Sequence, residues 1–152
     1  MEHFNPLIEK YTDGQKAQLL ALWEKSVLAT HHFLSNEDFL AIKKLLQDFD
    51  FATLNVYSLN HGTEMIGFVA TSAVKVEMLF LSPSYFGKGL GKKLMEFAIS
   101  TLNATEVDVN EQNQSAFRFY KNLGFEVFER TEKDDLGKGY PLLRMRLNTH
   151  VQ

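Results

Sequence analysis

The sequence predicts an α+β domain: a mixed sheet with helices. Three observations carry this. Apolar residues recur at helical spacing through the first third of the chain. From Thr53 the spacing switches to strand-like alternation, and beyond Pro83 helical and strand patterns take turns. The 152 residues fit one domain, expected over 1–152, long enough to bury a core without disulfides or a metal.

The elements follow in order. "NPLIEKY" (Asn5 to Tyr11) reads as a first strand. Thr12 and Asp13 offer N-caps to a helix in which Leu19, Trp23 and Val27 share one face. Ser35, with Asp38 three residues on, begins a second helix carrying Phe39, Ile42, Leu45, Leu46 and Phe49. "TLNVYSL" and "MIGFVATS", joined by the turn chemistry of "NHGTE", form a hairpin. "VKVEMLFLS" is a third strand of this run, with Val74, Val76, Met78 and Phe80 on one face and Lys75, Glu77, Leu79 and Leu81 on the other. Pro83 ends it. A helix marked by Leu90, Leu94, Phe97 and Ala98 follows, then the strand "EVDVN". "NQSAFRFYKNLG" is a short helix closed by Gly124, a residue suited to the left-handed C′ position. "FEVFERT" and "LLRMRL" are the last strands, joined by the loop "EKDDLGKGYP". The order is βααβββαβαββ.

Composition excludes several function classes. The formal net charge is −3, so no basic field attracts nucleic acid. Cysteine is absent, which rules out disulfides and thiolate ligands and fits a reducing compartment. "MEHFNPLIEKYTDG" lacks an apolar signal core, and no apolar run is long enough to span a bilayer. A cytoplasmic protein without membrane or nucleic-acid partners is expected. The five histidines show no H-x-x-x-H spacing, so no metal is expected.

The segment "SPSYFGKGLGKKL" (Ser82 to Leu94) carries Gly87, Gly89 and Gly91 in G-x-G-x-G spacing. It fails the dinucleotide fingerprint G-x-G-x-x-G. It also fails the Walker A pattern, since Phe86 stands at the first glycine and Lys93 at the Ser/Thr. A strand, a proline turn and alternating glycines still lead into a helix N-terminus, where free N–H groups favour an anion. Lys88, Lys92 and Lys93 add positive charge. From the glycines alone, a phosphate cradle and a flexible turn with solvated lysines both remain open.

A second motif bears on that choice. "NEQNQSAFRFYKNLGF" (Asn110 to Phe125), taken with "LFLSPSYFGKGLGKKL", resembles the GCN5-related N-acetyltransferase (GNAT) superfamily in motifs and in element order. "SVLATHHFLS", "VEMLFLSP", "VNEQNQSAFRFYKNLGF" and "DDLGKGYPLL" together resemble a bacterial branch commonly described as peptidyl-lysine N-acetyltransferases, although nothing in the composition selects lysine. The resemblance implies a mostly antiparallel central sheet flanked by helices. It implies direct acetyl transfer from acetyl-CoA to a primary amine: a protein lysine, a peptide or a small molecule. A non-catalytic acyl-CoA sensor or adaptor on the same fold is the alternative, which turnover would separate.

The resemblance also distributes roles. The loop Phe86, Gly87, Lys88, Gly89, Leu90, Gly91 and Lys92 would hold the pyrophosphate, with Phe86 where the family carries Gln or Arg. Leu79, Phe80 and Leu81 would border the pantetheine slot, and Ala116 would leave room for that arm. Asn113 would contact the cofactor or an ordered water, although Asn is also a favoured N-cap. Tyr120 matches the tyrosine that donates to the departing thiolate; an aromatic core with Phe117, Phe119 and Phe125 is its alternative setting. Three groups compete as general base: Glu77 beside the slot, Asp108 on the next strand, and His31 between the first two helices, ranked above His32. Tyr140 and Pro141 would lie on the acceptor side, with Asp134 and Asp135 attracting a cationic amine.

Overall fold

The computed structural model describes residues 4–148; the ends of the expected 1–152 domain lie outside them. The elements are β1 (Leu7–Lys10), α1 (Lys16–Thr30), α2 (Asn36–Asp48), β2 (Asn55–His61), β3 (Glu64–Ser72), β4 (Lys75–Leu81), α3 (Leu90–Thr101), β5 (Glu106–Asn110), α4 (Gln114–Asn122), β6 (Phe125–Thr131) and β7 (Leu142–Leu147). This is the order read from the sequence. A 3₁₀ turn, Asp13–Gln15, leads into α1. Ser35 caps α2, its hydroxyl accepting from the Asp38 N–H at 3.1 Å. No helix among the described residues is long and apolar enough to cross a membrane.

The strands form one seven-stranded sheet, β1-β2-β3-β4-β5-β7-β6. Every pairing is antiparallel except β4 with β5. Helices cover both faces. Leu19, Trp23 and Val27 of α1, with Phe39 and Leu46 of α2, pack on Phe68 and Ala70 of β3. Leu90, Leu94, Met95 and Ala98 of α3 pack on the other face with Val69, Val107, Phe125 and Met145. Leu45, expected on the buried stripe of α2, lies 53% exposed, because the stripe narrows to Phe39 and Leu46.

Two irregularities at the centre of the sheet position the site. The first is a β-bulge. Ala70 pairs with Met78 but Thr71 pairs with Val76, so Glu77 has no partner across the ladder. The extra residue advances the side-chain alternation by one. Val76 therefore joins the core of Leu79 and Leu81, while Met78 and Phe80 face the other layer. The expected face of Val76 with Met78 and Phe80 is corrected accordingly. The second irregularity is brief parallel pairing. β4 and β5 share only Lys75 with Glu106 and Val76 with Val107. Beyond those positions the facing edges are unpaired.

Gly67 of β3 keeps the bulged strand in place. A Cβ there would meet Leu81 Cδ2 at 2.7 Å and the Phe80 carbonyl oxygen at 3.2 Å. Gly67→Ala should lower stability by about 1–3 kcal/mol, read as a lower urea midpoint at unchanged m-value.

Candidate active site

A cleft of about 620 Å³ opens where the end of β4, the glycine loop, α3, α4 and the C-terminal end of α1 meet. A smaller cavity of about 180 Å³ lies between the separating β4 and β5. The two share His31, Leu79, Phe80, Asn113, Ala116 and Tyr120 as walls. The two cavities therefore adjoin along a shared wall beside the split between β4 and β5.

The glycine loop forms one wall of the larger cleft. Gly87 and Gly89 have φ of +76° and +77°, and a Cβ at either would meet nothing within 4 Å. Backbone conformation, not crowding, selects glycine at both positions. Gly89 is the residue before α3, so the helix's first N–H groups lack intrahelical acceptors at the cleft wall. At Gly91 a Cβ would approach Phe119 Cζ at 3.4 Å. The lysines divide. Lys92 lines the cleft; exposed Lys88 does not. Lys93 donates to the Pro6 carbonyl at 2.8 Å, which removes it from the anion-binding charge expected of it. Phe86 lines the cleft at 42% exposed. An open cradle, a helix N-terminus and Lys92 together fit a pyrophosphate. Leu79, Phe80 and Leu81 continue the wall along the stretch of β4 that β5 does not pair.

Tyr120 occupies both settings read from the sequence. Its ring packs edge-on to Phe119 and Phe125, at centroid distances of 5.1 and 5.9 Å, and it also borders both cavities. Burial pushes the phenol well above its ordinary range, so it stays protonated at neutral pH. Among the described residues nothing accepts a hydrogen bond from its hydroxyl. Asn113 is likewise double: its Oδ1 accepts from the Ala116 N–H at 3.1 Å, capping α4, while the residue lines both cavities. Ala116 sits one turn before Tyr120 and leaves the shared wall open.

The three base candidates differ in what already holds them. Asp108 Oδ2 lies 2.6 Å from Lys75 Nζ and 2.7 Å from Arg144 Nη1, in a side chain 16% exposed. Two cations therefore already hold that carboxylate. Glu77, on the bulge, is 35% exposed and only 4.0 Å from Lys75 Nζ. His31 follows the last residue of α1, with Nδ1 2.7 Å from Thr30 Oγ1. Burial, with a smaller effect of neighbouring His32, holds its imidazole below the ordinary range, so the ring is neutral near pH 7. His32 is exposed and lines neither cavity. Among the described residues no group of three His, Asp or Glu side chains is placed to hold a metal.

The β6–β7 loop reaches the α1–α2 junction. Tyr140 donates to Asp38 Oδ2 at 2.6 Å and accepts from the Ser35 N–H at 3.2 Å. Asp134 is occupied inside the loop, accepting from the N–H groups of Leu136 and Lys138, and Asp135 pairs with Arg144 at 3.1 Å. Neither is the uncommitted carboxylate expected to draw in an amine. Ser26 and Thr30 line the larger cleft without having been singled out in the sequence, and Phe119, expected only as an aromatic neighbour of Tyr120, lines it too. The i, i+4 spacing of Ser26 and Thr30 just before His31 was the one available signal.

Comparison with known proteins agrees with this geometry. A family model described as an acetyltransferase (GNAT) domain matches residues 24–149. The peptidyl-lysine N-acetyltransferase YjaB of Salmonella typhimurium is 39% identical over 136 residues, 90% of this chain and 92% of that protein. The solution structure of apo-form YjaB from Escherichia coli superposes with a TM-score of 0.85 at 36% identity, covering 93% of this chain and 97% of that one. The PaiA N-acetyltransferase of Thermoplasma acidophilum, solved in complex with coenzyme A, shares the fold at a TM-score of 0.69 and 22% identity, over 95% and 99% of the two chains. The split sheet, its glycine-capped helix and these likenesses place the protein in the GNAT family of acetyltransferases.

Proposed function

We propose that this protein transfers the acetyl group of acetyl-CoA to the side-chain amine of a lysine in a peptide or protein. The observation that carries the reading is the meeting of two cavities at Tyr120, one of them walled by the glycine cradle. The lysine assignment draws on the similarity to YjaB.

Gly87 to Lys92 would receive the pyrophosphate, and the unpaired edge of β4 would receive the pantetheine amides as an added strand. Acetyl-CoA supplies an acyl thioester, placed where the cavities join. The acceptor nitrogen bonds the carbonyl carbon and the carbon–sulfur bond breaks. The nitrogen loses a proton and the sulfur gains one, giving an acetamide and free CoA. A protonated, otherwise unpartnered Tyr120 suits donation to the sulfur. Asp108 is fixed between Lys75 and Arg144 and is better suited to shaping the smaller cavity than to taking a proton.

Three expectations follow. Calorimetric titration with acetyl-CoA should give saturable one-site binding despite Phe86; no binding at millimolar ligand would remove the donor assignment. Gly89→Val forces a β-branched residue into φ near +77° and should abolish acetyl-CoA binding while the circular dichroism spectrum is retained. Tyr120→Phe should bind acetyl-CoA as tightly as wild type but lose about 10²-fold in kcat on a lysine peptide. Full turnover by that variant would exclude Tyr120 as the proton donor.

A further inference from the structure

A short hydrogen-bond relay at the end of α1 determines which nitrogen of His31 carries the proton. Thr30 Oγ1 lies 2.7 Å from the Ser26 carbonyl, one turn back, and 2.7 Å from His31 Nδ1. A hydroxyl has a single proton. The Ser26 carbonyl can only accept, so it takes that proton, and Thr30 must accept from His31. The imidazole therefore carries its hydrogen on Nδ1. The His31 main-chain N–H donates to the Val27 carbonyl at 2.8 Å, anchoring the residue to the helix end. Nε2 keeps its lone pair, and no described residue donates to it.

We infer that Thr30 is a positioning residue that fixes His31 in the Nδ1–H tautomer, leaving Nε2 to accept the proton released by the acceptor amine. The inference rests on the acetyl-transfer reading above. His31 borders both cavities, so the proton leaves where the acetyl group arrives. As the amine nitrogen bonds the carbonyl carbon its N–H becomes strongly acidic, so a base weaker than the free amine suffices. The proton passes from that nitrogen to Nε2, and the imidazolium returns it to water after the amide has formed.

The charged and titratable surroundings are few. His32 adjoins His31 in the chain. Glu77 of β4, Asp108 of β5 and Tyr120 of α4 line the smaller cavity with it, and Lys92 of α3 lines the larger one. Asp108 is balanced by Lys75 and Arg144, and Asp38 of α2 by Tyr140 and Lys138. The reaction needs neutral His31, so kcat should fall as pH drops through its pKa. Burial places that acid limb below the ordinary imidazole value.

The test combines spectroscopy with kinetics on the full chain. Nitrogen NMR of protein labelled in histidine should report protonated Nδ1 and bare Nε2 at His31. Thr30→Val should shift the ring toward the Nε2–H form and reduce kcat about tenfold. It should also move the acid limb lower, because the lost oxygen stabilised the cationic ring most. Thr30→Ser should restore all three readouts. His31→Gln should lose about 10²-fold in kcat together with the acid limb, whereas the limb should persist in Glu77→Gln. A bare Nδ1 in the wild type, or a limb lost with Glu77 and kept without His31, would overturn the inference and leave acetyl transfer standing. If Thr30→Val does not fold, the wild-type spectrum and the two remaining profiles still decide. A wild type that acetylates no amine would overturn the transferase reading instead, and the spectrum, which needs no turnover, tells the two failures apart.

Discussion

The site depends on how little β4 and β5 pair. They are the one parallel pair in the sheet, and they share only two register positions before their facing edges go unpaired. Without the separation there would be no smaller cavity, no free edge on β4 and no common point for two reactants. The bulge at Glu77 lies at the opening and reverses the side-chain alternation there. Val76 then stays in the α3 and α4 core while Glu77 reaches the cavity wall. Apolar cores on both faces of the sheet hold the separated strands in place.

Charge is distributed to match this division. Lys75, one of the two positions of β4 that pair with β5, and Arg144 of β7 share Asp108, and Arg144 also reaches Glu129 and Asp135. Burial favours a lower Lys75 pKa, but the hydrogen bond and charge of Asp108, aided by Glu77 and Asp135, outweigh it and hold the ammonium firm. The network ties β4, β5, β6 and β7 together next to the point where β4 and β5 stop pairing. The groups left free of such ties, Tyr120 and the Nε2 of His31, are the two whose proton states suit opposite tasks. Burial keeps the phenol protonated and the imidazole neutral.

The glycine loop gives another view of what could be read early. Its G-x-G-x-G spacing was visible and ambiguous, because a cradle and a loose turn use the same residues. The motif from Asn110 to Phe125 favoured the cradle through resemblance. Positive φ at Gly87 and Gly89, with open space at each missing Cβ, then gave the spacing its physical reason. The lysines were less legible. Lys88, Lys92 and Lys93 look equivalent in the chain, yet only Lys92 lines the cleft, and Lys93 is spent on a carbonyl near the start of β1. A long flexible side chain reveals its partner only when a distant segment arrives beside it.

The sequence by itself determined the element order, the Ser35 and Asn113 caps and the helix end at Gly124, while the N-caps read at Thr12 and Asp13 precede a 3₁₀ turn and α1 itself begins after Gln15. Apolar period, turn chemistry and capping are local properties, and each is written within a few residues. Tertiary structure decided the rest. The bulge at Glu77 depends on register against β3, which alternation along β4 cannot report. The commitment of Asp108, Asp134 and Asp135 to cations and N–H groups depends on neighbours far away in the chain or on a folded loop. Even Thr30, adjacent to His31, gained its role only when the helix turned its hydroxyl onto Ser26 and the cleft closed around the ring. Residue type sets what a group can do; the partners that folding brings to it decide which of those things it does.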